Sequence, residues 1–288
     1  MKYLIIAIIL LVIIAVFLYY QNNKLDVTRY KIESDDIKNR LRIVHLSDLH
    51  SKPFYKALET IKAQKPDIIV ITGDYINDKG RRKDKMLDFG KELISIAPVY
   101  YITGNHERRL DYFDELMNDL RSIGFNVLLD EITSFEINGS TVNILGLDEN
   151  QASFEDYKAR KAGTFVYKDV SPLINDLCRR DGFKIVLSHF PENFELVKEM
   201  DYVKYPFDIQ LSGHAHGGQF ILPFIGPVLS PGQGLFPKYA RGSFGTRPML
   251  IISRGLGNAE FPFRLFNHPE IVVITATKKI SEDSYVRQ

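Results

Sequence analysis

Five short runs of Ile, Val and Leu, each closed by a cluster of Gly, Asp, Asn or His, constrain this chain more than any other feature. Residues 42–46 lead into Asp48 and His50, residues 67–72 into Gly73 and Asp74, and residues 99–103 into Gly104, Asn105 and His106. The pattern returns in the second half, where 184–188 lead into His189 and 207–212 into Gly213, His214 and His216. Runs this short and this continuous suit strands buried on both faces. Between them, residues 55–64, 83–96, 110–123 and 172–180 have helical periodicity or composition. Strand-like segments then crowd the later chain at 141–147, 248–253 and 271–276, so the expected class is α/β, with layered sheets and helices outside them. No internal repeat, low-complexity tract or linker to a second domain interrupts the pattern. In open α/β sheets ligands collect beyond the carboxyl ends of the strands, and all five clusters fall at such ends. They can therefore meet in space although they run from Asp48 to His216.

A second feature stands apart from these. Residues 3–20 form an uncharged apolar run of 18 residues, and at 1.5 Å per residue a helix of that length reaches roughly 27 Å, close to the thickness of a bilayer's hydrocarbon core. A cleaved signal peptide is the alternative, but such segments end in a small-x-small site, and here the run closes on Phe17, Leu18, Tyr19 and Tyr20. Paired tyrosines suit the membrane interface. The chain thus divides into an anchor or signal segment at 1–23, a polar tether leading into the domain at 24–40, and a domain at 41–288. The expected location is the cell membrane, by a single pass. Lys24, Arg29, Lys31, Lys38 and Arg40 outnumber Lys2, which by the positive-inside rule argues for a cytoplasmic domain. Cys178 is the one cysteine, which excludes a disulfide scaffold and fits either compartment. A net charge of +1 argues against bulk attraction to nucleic acid, so no role as a nucleic-acid scaffold is expected.

The chemistry lies in the histidines. Of seven in the chain, His50, His106, His189, His214 and His216 sit in the strand-end clusters, beside Asp48, Asp74 and Asn105. Imidazole together with carboxylate suits Zn, Fe, Mn or Co better than Ca or Mg, and the lack of thiolates argues against a structural zinc knuckle. These candidates exceed the needs of one tetrahedral ion, and two ions sharing one carboxylate would use seven of them.

In this order and at these positions, Asp48-Leu49-His50, Gly73-Asp74, Gly104-Asn105-His106-Glu107, Ser188-His189 and Gly213-His214-Ala215-His216 resemble the five blocks of the calcineurin-like metallophosphoesterases. The resemblance spans about residues 41–276. Gly217-Gly218-Gln219 and Ser253-Arg254-Gly255-Leu256-Gly257 are similar to the membrane-associated bacterial branch, whose members include hydrolases of the pyrophosphate of lipid-A precursors and exported phosphoesterases. The resemblance implies a four-layer α/β/β/α sandwich carrying one N-terminal transmembrane helix. It implies two divalent metal ions as cofactors, with Asp48, His50 and His216 on one, Asn105, His189 and His214 on the other, and Asp74 between them. It implies that His106 faces the phosphate as the catalytic residue, with Glu107 helping to orient it. The implied function is metal-dependent hydrolysis of phosphoester or pyrophosphate bonds, the substrate lipid-linked or part of the cell envelope. The exported relatives place the domain on the outer face, against the charge count. A phosphodiesterase or phosphatase of broad specificity without lipid preference is the nearer alternative, and a non-catalytic metal-site scaffold the more distant one. Oligomeric state is open.

Other residues are read from their surroundings. Arg254, in a glycine-flanked turn after a strand, suits either a fork onto phosphate or an internal ion pair. His45, inside a strand, suits core packing or support of a ligand, and His268 a structural turn. The basic stretch 79–85 suits a solvated loop and helix start, or an anionic surface. Residues 220–236, apolar but broken by Pro and Gly, follow His216 directly and suit either a packed loop or an apolar lip beside the metals.

Overall fold

The structure, a computed structural model, describes residues 1–151, 154–258 and 261–279. The final residues of the expected domain, 280–288, lie outside the described residues. The chain opens with α1 (Lys2–Asn23) and β1 (Asp26–Ser34), followed by β2 (Leu41–Leu46), α2 (Lys56–Ala63), β3 (Ile68–Thr72), α3 (Lys83–Ile96), β4 (Val99–Ile102), α4 (Phe113–Ser122) and β5 (Asn126–Val127). The second half holds β6 (Glu131–Ile137), β7 (Ser140–Gly146), α5 (Phe154–Ala162), α6 (Ser171–Arg179), β8 (Phe183–Leu187) and β9 (Ile209–Ser212). Two small ribbons follow, β10 (Ile221–Leu222) with β11 (Gly226–Pro227) and β12 (Leu229–Ser230) with β13 (Gly234–Leu235), and then β14 (Gly242–Phe244), β15 (Met249–Ile252) and β16 (Glu270–Lys278).

The larger strands make two six-stranded sheets, ordered β1-β16-β2-β3-β4-β5 and β14-β15-β9-β8-β7-β6. Pleating sends alternate residues to opposite faces. In β2 and β3, Ile43, Ile68 and Val70 face the other sheet and pack against Val142, Ile185, Leu211 and Ile251. Their neighbours Val44, Ile69 and Ile71 face outward, onto Ile61 of α2, Phe89 and Leu93 of α3, and Leu116 and Leu120 of α4. On the far side, Leu145 and Val186 pack against Ile174 and Leu177 of α6. The order of layers is helix, sheet, sheet, helix, and the apolar runs are continuous because both faces of each central strand are covered.

The helices follow their apolar stripes. Met86, Phe89 and Leu93 recur down α3, and Leu116, Met117 and Leu120 down α4, each set buried. The expected helix at 110–123 begins only at Phe113, because residues 107–109 take one tight turn and Leu110 is extended at ψ 131. Pro172 sits in the first turn of α6, where its missing N–H costs no hydrogen bond.

One stretch departs from expectation. Within 24–40, read as a tether, Asp26–Ser34 form an edge strand that pairs in parallel with β16 from Asp26↔Glu270 to Ser34↔Lys278. An edge strand keeps one side in water, so its sequence is charged and alternating, and within it only Ile32 and Ser34 are buried. The strand β6, on the edge of the second sheet, escapes notice for the same reason. The charged helix α5 has no apolar stripe to announce it. The N-terminal run is helical throughout, from Lys2 to Asn23, with mean hydropathy 3.0 over its apolar window, long and apolar enough to cross a membrane.

Candidate metal centre

Parallel pairing of β2 with β3 and of β3 with β4, and of β7 with β8 and of β8 with β9, aligns their carboxyl ends. The loops leaving β2, β3 and β4 carry Asp48, His50, Asp74, Asn105 and His106, and those leaving β8 and β9 carry His189, His214 and His216. Every candidate ligand therefore arrives at one rim of the sandwich. Asp48, His50, Asp74, His214 and His216 all have positive φ, between 47° and 65°. Non-glycine residues held there are strained by the order of 1 kcal/mol each and persist only where the surroundings over-determine them. Cross-loop hydrogen bonds do so here: the Asp48 amide donates to Gly73 O at 3.0 Å, His50 to Asp74 O at 2.9 Å and Gly213 to His189 O at 3.2 Å. Two glycines permit the close approach. A Cβ on Gly104 would run into the Asp74 carboxylate, and one on Gly213 into Ser47 and the Asp48 carboxylate.

Two donor groups result. Asp48, His50, Asp74 and His216 offer one ligand atom each within 4.8 Å of one another, as do Asp74, His189 and His214. In the first, Nε2 of His50 and Nε2 of His216 stand 3.0 Å apart, with Asp48 Oδ1 at 3.3 Å from the latter and Asp74 Oδ2 at 3.7 Å from the former. In the second, His189 Nε2 lies 3.4 Å from Asp74 Oδ2 and 3.2 Å from Asn105 Oδ1. Asp74 belongs to both groups.

The protonation pattern suits cation binding. Burial lowers His50 to about 3 and carries His214 and His216 well below the ordinary imidazole value, leaving neutral rings with free lone pairs. Burial would lower His189 too, but the Asp74 charge and hydrogen bond outweigh it, with help from Asp48 and the Thr72 carbonyl, and raise it to about 10. Burial raises Asp48 to about 7 and the Asp74 charge adds to this, although His189 pulls the other way. Asp74 itself is held well below the carboxylate range: burial opposes this, and His189, His106 and His50 overcome it. Asp74 is thus the negative centre around which positive charge gathers. His189 Nδ1 donates to the Thr72 carbonyl at 2.8 Å, so Nε2 is the nitrogen that faces Asp74 and Asn105, holding toward their oxygens a proton that a bound cation would replace.

His106 has the most exposed side chain of the five histidines, 20% against 9% or less for the ligand histidines. Its Nδ1 accepts from the Asp78 amide at 3.2 Å, which leaves the proton on Nε2, 3.9 Å from Asp74 Oδ2. Glu107, expected to help orient His106, acts on the backbone amides of the neighbouring loops. Fully buried, its carboxylate accepts from the amides of Asp74 at 3.0 Å, Gly104 at 2.9 Å and Ile76 at 2.9 Å, stitching the β3 and β4 loops together. Arg254 forms the internal ion pair rather than the phosphate fork: its Nη2 lies 3.0 Å from Glu270 and 3.2 Å from Asp26.

His45 begins a relay. Its Nε2 lies 2.8 Å from Thr72 Oγ1, Thr72 donates to Ser47 Oγ at 3.0 Å, and Ser47 donates to Asp48 Oδ2 at 2.5 Å. His268 is structural, with Nδ1 3.1 Å from Asp26. In the basic stretch 79–85, Lys83 is paired with Glu115 and Asp119, and Lys79, Arg81, Arg82 and Lys85 lie in solvent.

Three further residues were not singled out from sequence. Asp78 flanks His106, with Oδ1 3.5 Å from Nδ1. Glu192, buried and with Oε2 unpartnered among the described residues, brings Oε1 to 4.0 Å from His214 Nε2, and its place three residues after His189 was the only available signal. Arg264, fully buried, brings Nη2 to 3.5 Å from His216 Nδ1, and nothing in its local sequence announces it.

Residues 41–218 match the calcineurin-like phosphoesterases. The chain is 31% identical over 271 residues to YkuE of Bacillus subtilis, an uncharacterized metallophosphoesterase, across 89% of this chain and 87% of that one. It is 26% identical to the phosphodiesterase YaeI of Escherichia coli, across 81% of each chain. It is 28% identical to LpxG of Chlamydia muridarum, a UDP-2,3-diacylglucosamine pyrophosphatase, across 81% of this chain and 83% of that one.

Proposed function

The chain belongs to the calcineurin-like phosphoesterase family and is a hydrolase of phosphoesters, and from that premise we propose that it cleaves phosphodiester or pyrophosphate bonds on a lipid-linked or cell-envelope substrate. The observation that carries the reading is the sharing of Asp74 between two buried donor groups, with His106 partly exposed beside them. Asp48, His50, Asp74 and His216 would hold one divalent cation, and Asn105, His189 and His214, with Asp74, the other. The mixed imidazole and carboxylate set favours Mn, Zn, Fe or Co. When bound, such a pair of ions supplies Lewis acidity toward phosphate and a nucleophilic water near neutral pH.

The protein's own groups do the rest. Asp74 balances positive charge at the centre of the site, and the Thr72 carbonyl and the Asn105 amide fix the ring of His189. His106 holds its proton on Nε2, directed by the Asp78 amide at Nδ1, and donates it as a hydrogen bond to a phosphoryl or leaving oxygen as charge builds there. Asp48 is fixed by Ser47 and by the His214 amide, which donates at 3.0 Å.

The lipid-linked reading is supported by the acylated substrate named for the C. muridarum relative and by α1, which we read as a membrane anchor for the domain that follows it. We place the domain on the outer face, as the resemblance to exported phosphoesterases implies, and protease digestion of intact cells reads the side. The deciding experiment is a hydrolysis panel on the detergent-solubilised full chain, first metal-free and then with Mn, Zn, Fe, Co or Mg restored. An aryl phosphodiester, an aryl phosphomonoester and a lipid pyrophosphate serve as substrates. Turnover highest on the lipid pyrophosphate supports the proposal, equal turnover on the soluble diester favours broad specificity, and none on any substrate with any metal overturns the hydrolase.

A further inference from the structure

Residues 220–236 carry no charged side chain. Their two ribbons are stitched at Val228, whose amide donates to Phe220 O at 3.0 Å and whose carbonyl accepts from Phe236 at 2.9 Å. This small assembly raises Phe224, Ile225, Leu235 and Phe236 into solvent, each more than half exposed and Phe224 fully so. Large apolar side chains grouped this way on a surface mark a place of contact.

What they contact follows from a single loop. In residues 261–267, Phe261 and Phe263 pack against Phe220, with ring centroids 5.2 and 5.6 Å away, and Leu265 O accepts from Ile221 at 2.9 Å. Arg264 reaches His216 of the metal centre, and Asn267 Nδ2 donates to His216 O at 2.7 Å. Phe266 packs edge-on against Phe17 of α1 at 5.9 Å, and its amide donates to the buried Gln21 at 3.0 Å. Asn258 donates to Asn22 at 2.9 Å and Lys52 to Asn22 O at 3.4 Å. The last turns of α1 are therefore clamped to the domain rather than hung from it.

This clamp fixes where a membrane would lie. The apolar window of α1 is exposed on every side, and read as an anchor it lies in a bilayer whose surface falls near Tyr19 and Tyr20, where the run ends. Phe17 lies below that level, so the loop touching it reaches the leaflet, and the ribbons packed on that loop adjoin it. Lys24, with Nζ 5.7 Å above the Tyr20 ring, and Lys52 supply cations at the height of the lipid headgroups. A second copy of the chain is the poorer occupant, since the face it would cover is the one α1 holds against the leaflet.

We propose that the 220–236 ribbons, the 261–266 loop and the end of α1 form one membrane-seated platform, with Phe224, Ile225, Leu235 and Phe236 inserted in the leaflet from which α1 emerges. The proposal rests on reading α1 as an anchor and does not depend on turnover.

The chain lacks tryptophan, so single reporters can be introduced without background. The full-length variants Phe224→Trp, Phe236→Trp, Ile13→Trp and Lys38→Trp are reconstituted in phosphatidylcholine–phosphatidylglycerol vesicles, each checked against the parent's thermal unfolding. Ile225→Trp replaces Phe224→Trp should that variant fail to fold. Lys38 is exposed and lies just before β2, at the end of the sheets opposite the metal centre. Lipids brominated near the carbonyl or near the chain end then report depth. Insertion about 5–10 Å into the interface predicts that shallow bromines remove roughly half the fluorescence at 224 and 236, that deep bromines quench 13, and that neither quenches 38. Quenching at 13 with 224 and 236 behaving like 38 overturns the platform and leaves the anchor standing. No quenching at 13 overturns both. Shielding of 224 and 236 only at high protein-to-lipid ratio, without bromine quenching, assigns the face to a second copy and also overturns the proposal.

Discussion

The amide of His106 donates to Oδ1 of Asp74 at 2.9 Å, while Oδ2 of the same carboxylate faces the rings of His50, His106 and His189 at 3.7, 3.9 and 3.4 Å. One oxygen fixes the loop that carries the exposed histidine, and the other serves the charge at the centre. A single side chain thus couples the position of His106 to the metal centre.

Asp74→Asn separates these duties. The amide oxygen can still accept from His106, but the charge shared by both donor groups is gone. Metal content, measured by mass spectrometry, falls from about two ions per chain to below one. Unchanged stoichiometry would remove Asp74 from the bridging role.

His106→Ala leaves both donor groups intact. Turnover on an aryl phosphodiester drops by about 10² to 10⁴ with metal content preserved, the range for loss of a positioned proton donor. Loss of both ions in this variant would make His106 a ligand instead.

Glu107→Ala tests a different kind of residue. Three buried amides, those of Asp74, Ile76 and Gly104, lose their acceptor together. At about 1 kcal/mol or more for each, the loss is about 3 kcal/mol or more, and the melting temperature falls by roughly 6–12 °C for a chain of this size. Glu107→Gln does not rescue it, because its NH₂ group must face an amide N–H. Melting within about 2 °C of the parent would show that the loops hold without the clamp.

His45 sets part of the acid response. Burial lowers its pKa to about 3, against 6.5 for an ordinary histidine. Between these values the unfolded chain binds the extra proton and the folded chain does not. The stability tied to neutral His45 is therefore present above 6.5 and is lost as pH falls toward 3. Denaturant unfolding from about pH 7 to about pH 4 should show the parent losing up to about 1.4 kcal/mol per pH unit more than His45→Gln. Parallel pH profiles for the two proteins would refute this.

The central strands and the candidate ligands were readable from sequence for one reason. A strand covered on both faces is apolar throughout, and the polar residue that ends it is conspicuous, as at Leu46 to Asp48 and Ser212 to His214. Partners that meet only across loops left no such trace. The ring of His106 accepts from the amide of Asp78, and His216 is approached by Arg264 from 48 residues away. Arg254 illustrates the limit: a glycine-flanked arginine after a strand suited phosphate, yet its acidic partners wait on the edge strand β1 and on β16. The edge strands β1 and β6 were hidden by the same alternation that lets them face water.

The position of β16 between β1 and β2 also bears on how the molecule is made. The strand that emerges first, directly after the apolar helix, has its neighbour at Glu270–Lys278, and so does Leu41–Leu46. During synthesis the first sheet has an unfilled slot beside its edge until β16 emerges, and Asp26–Ser34 wait as an unpaired strand. Closure of that slot by the late strand joins the start of the domain to the rest, so a nascent chain halted before residue 270 carries an open seam for a chaperone or protease to find.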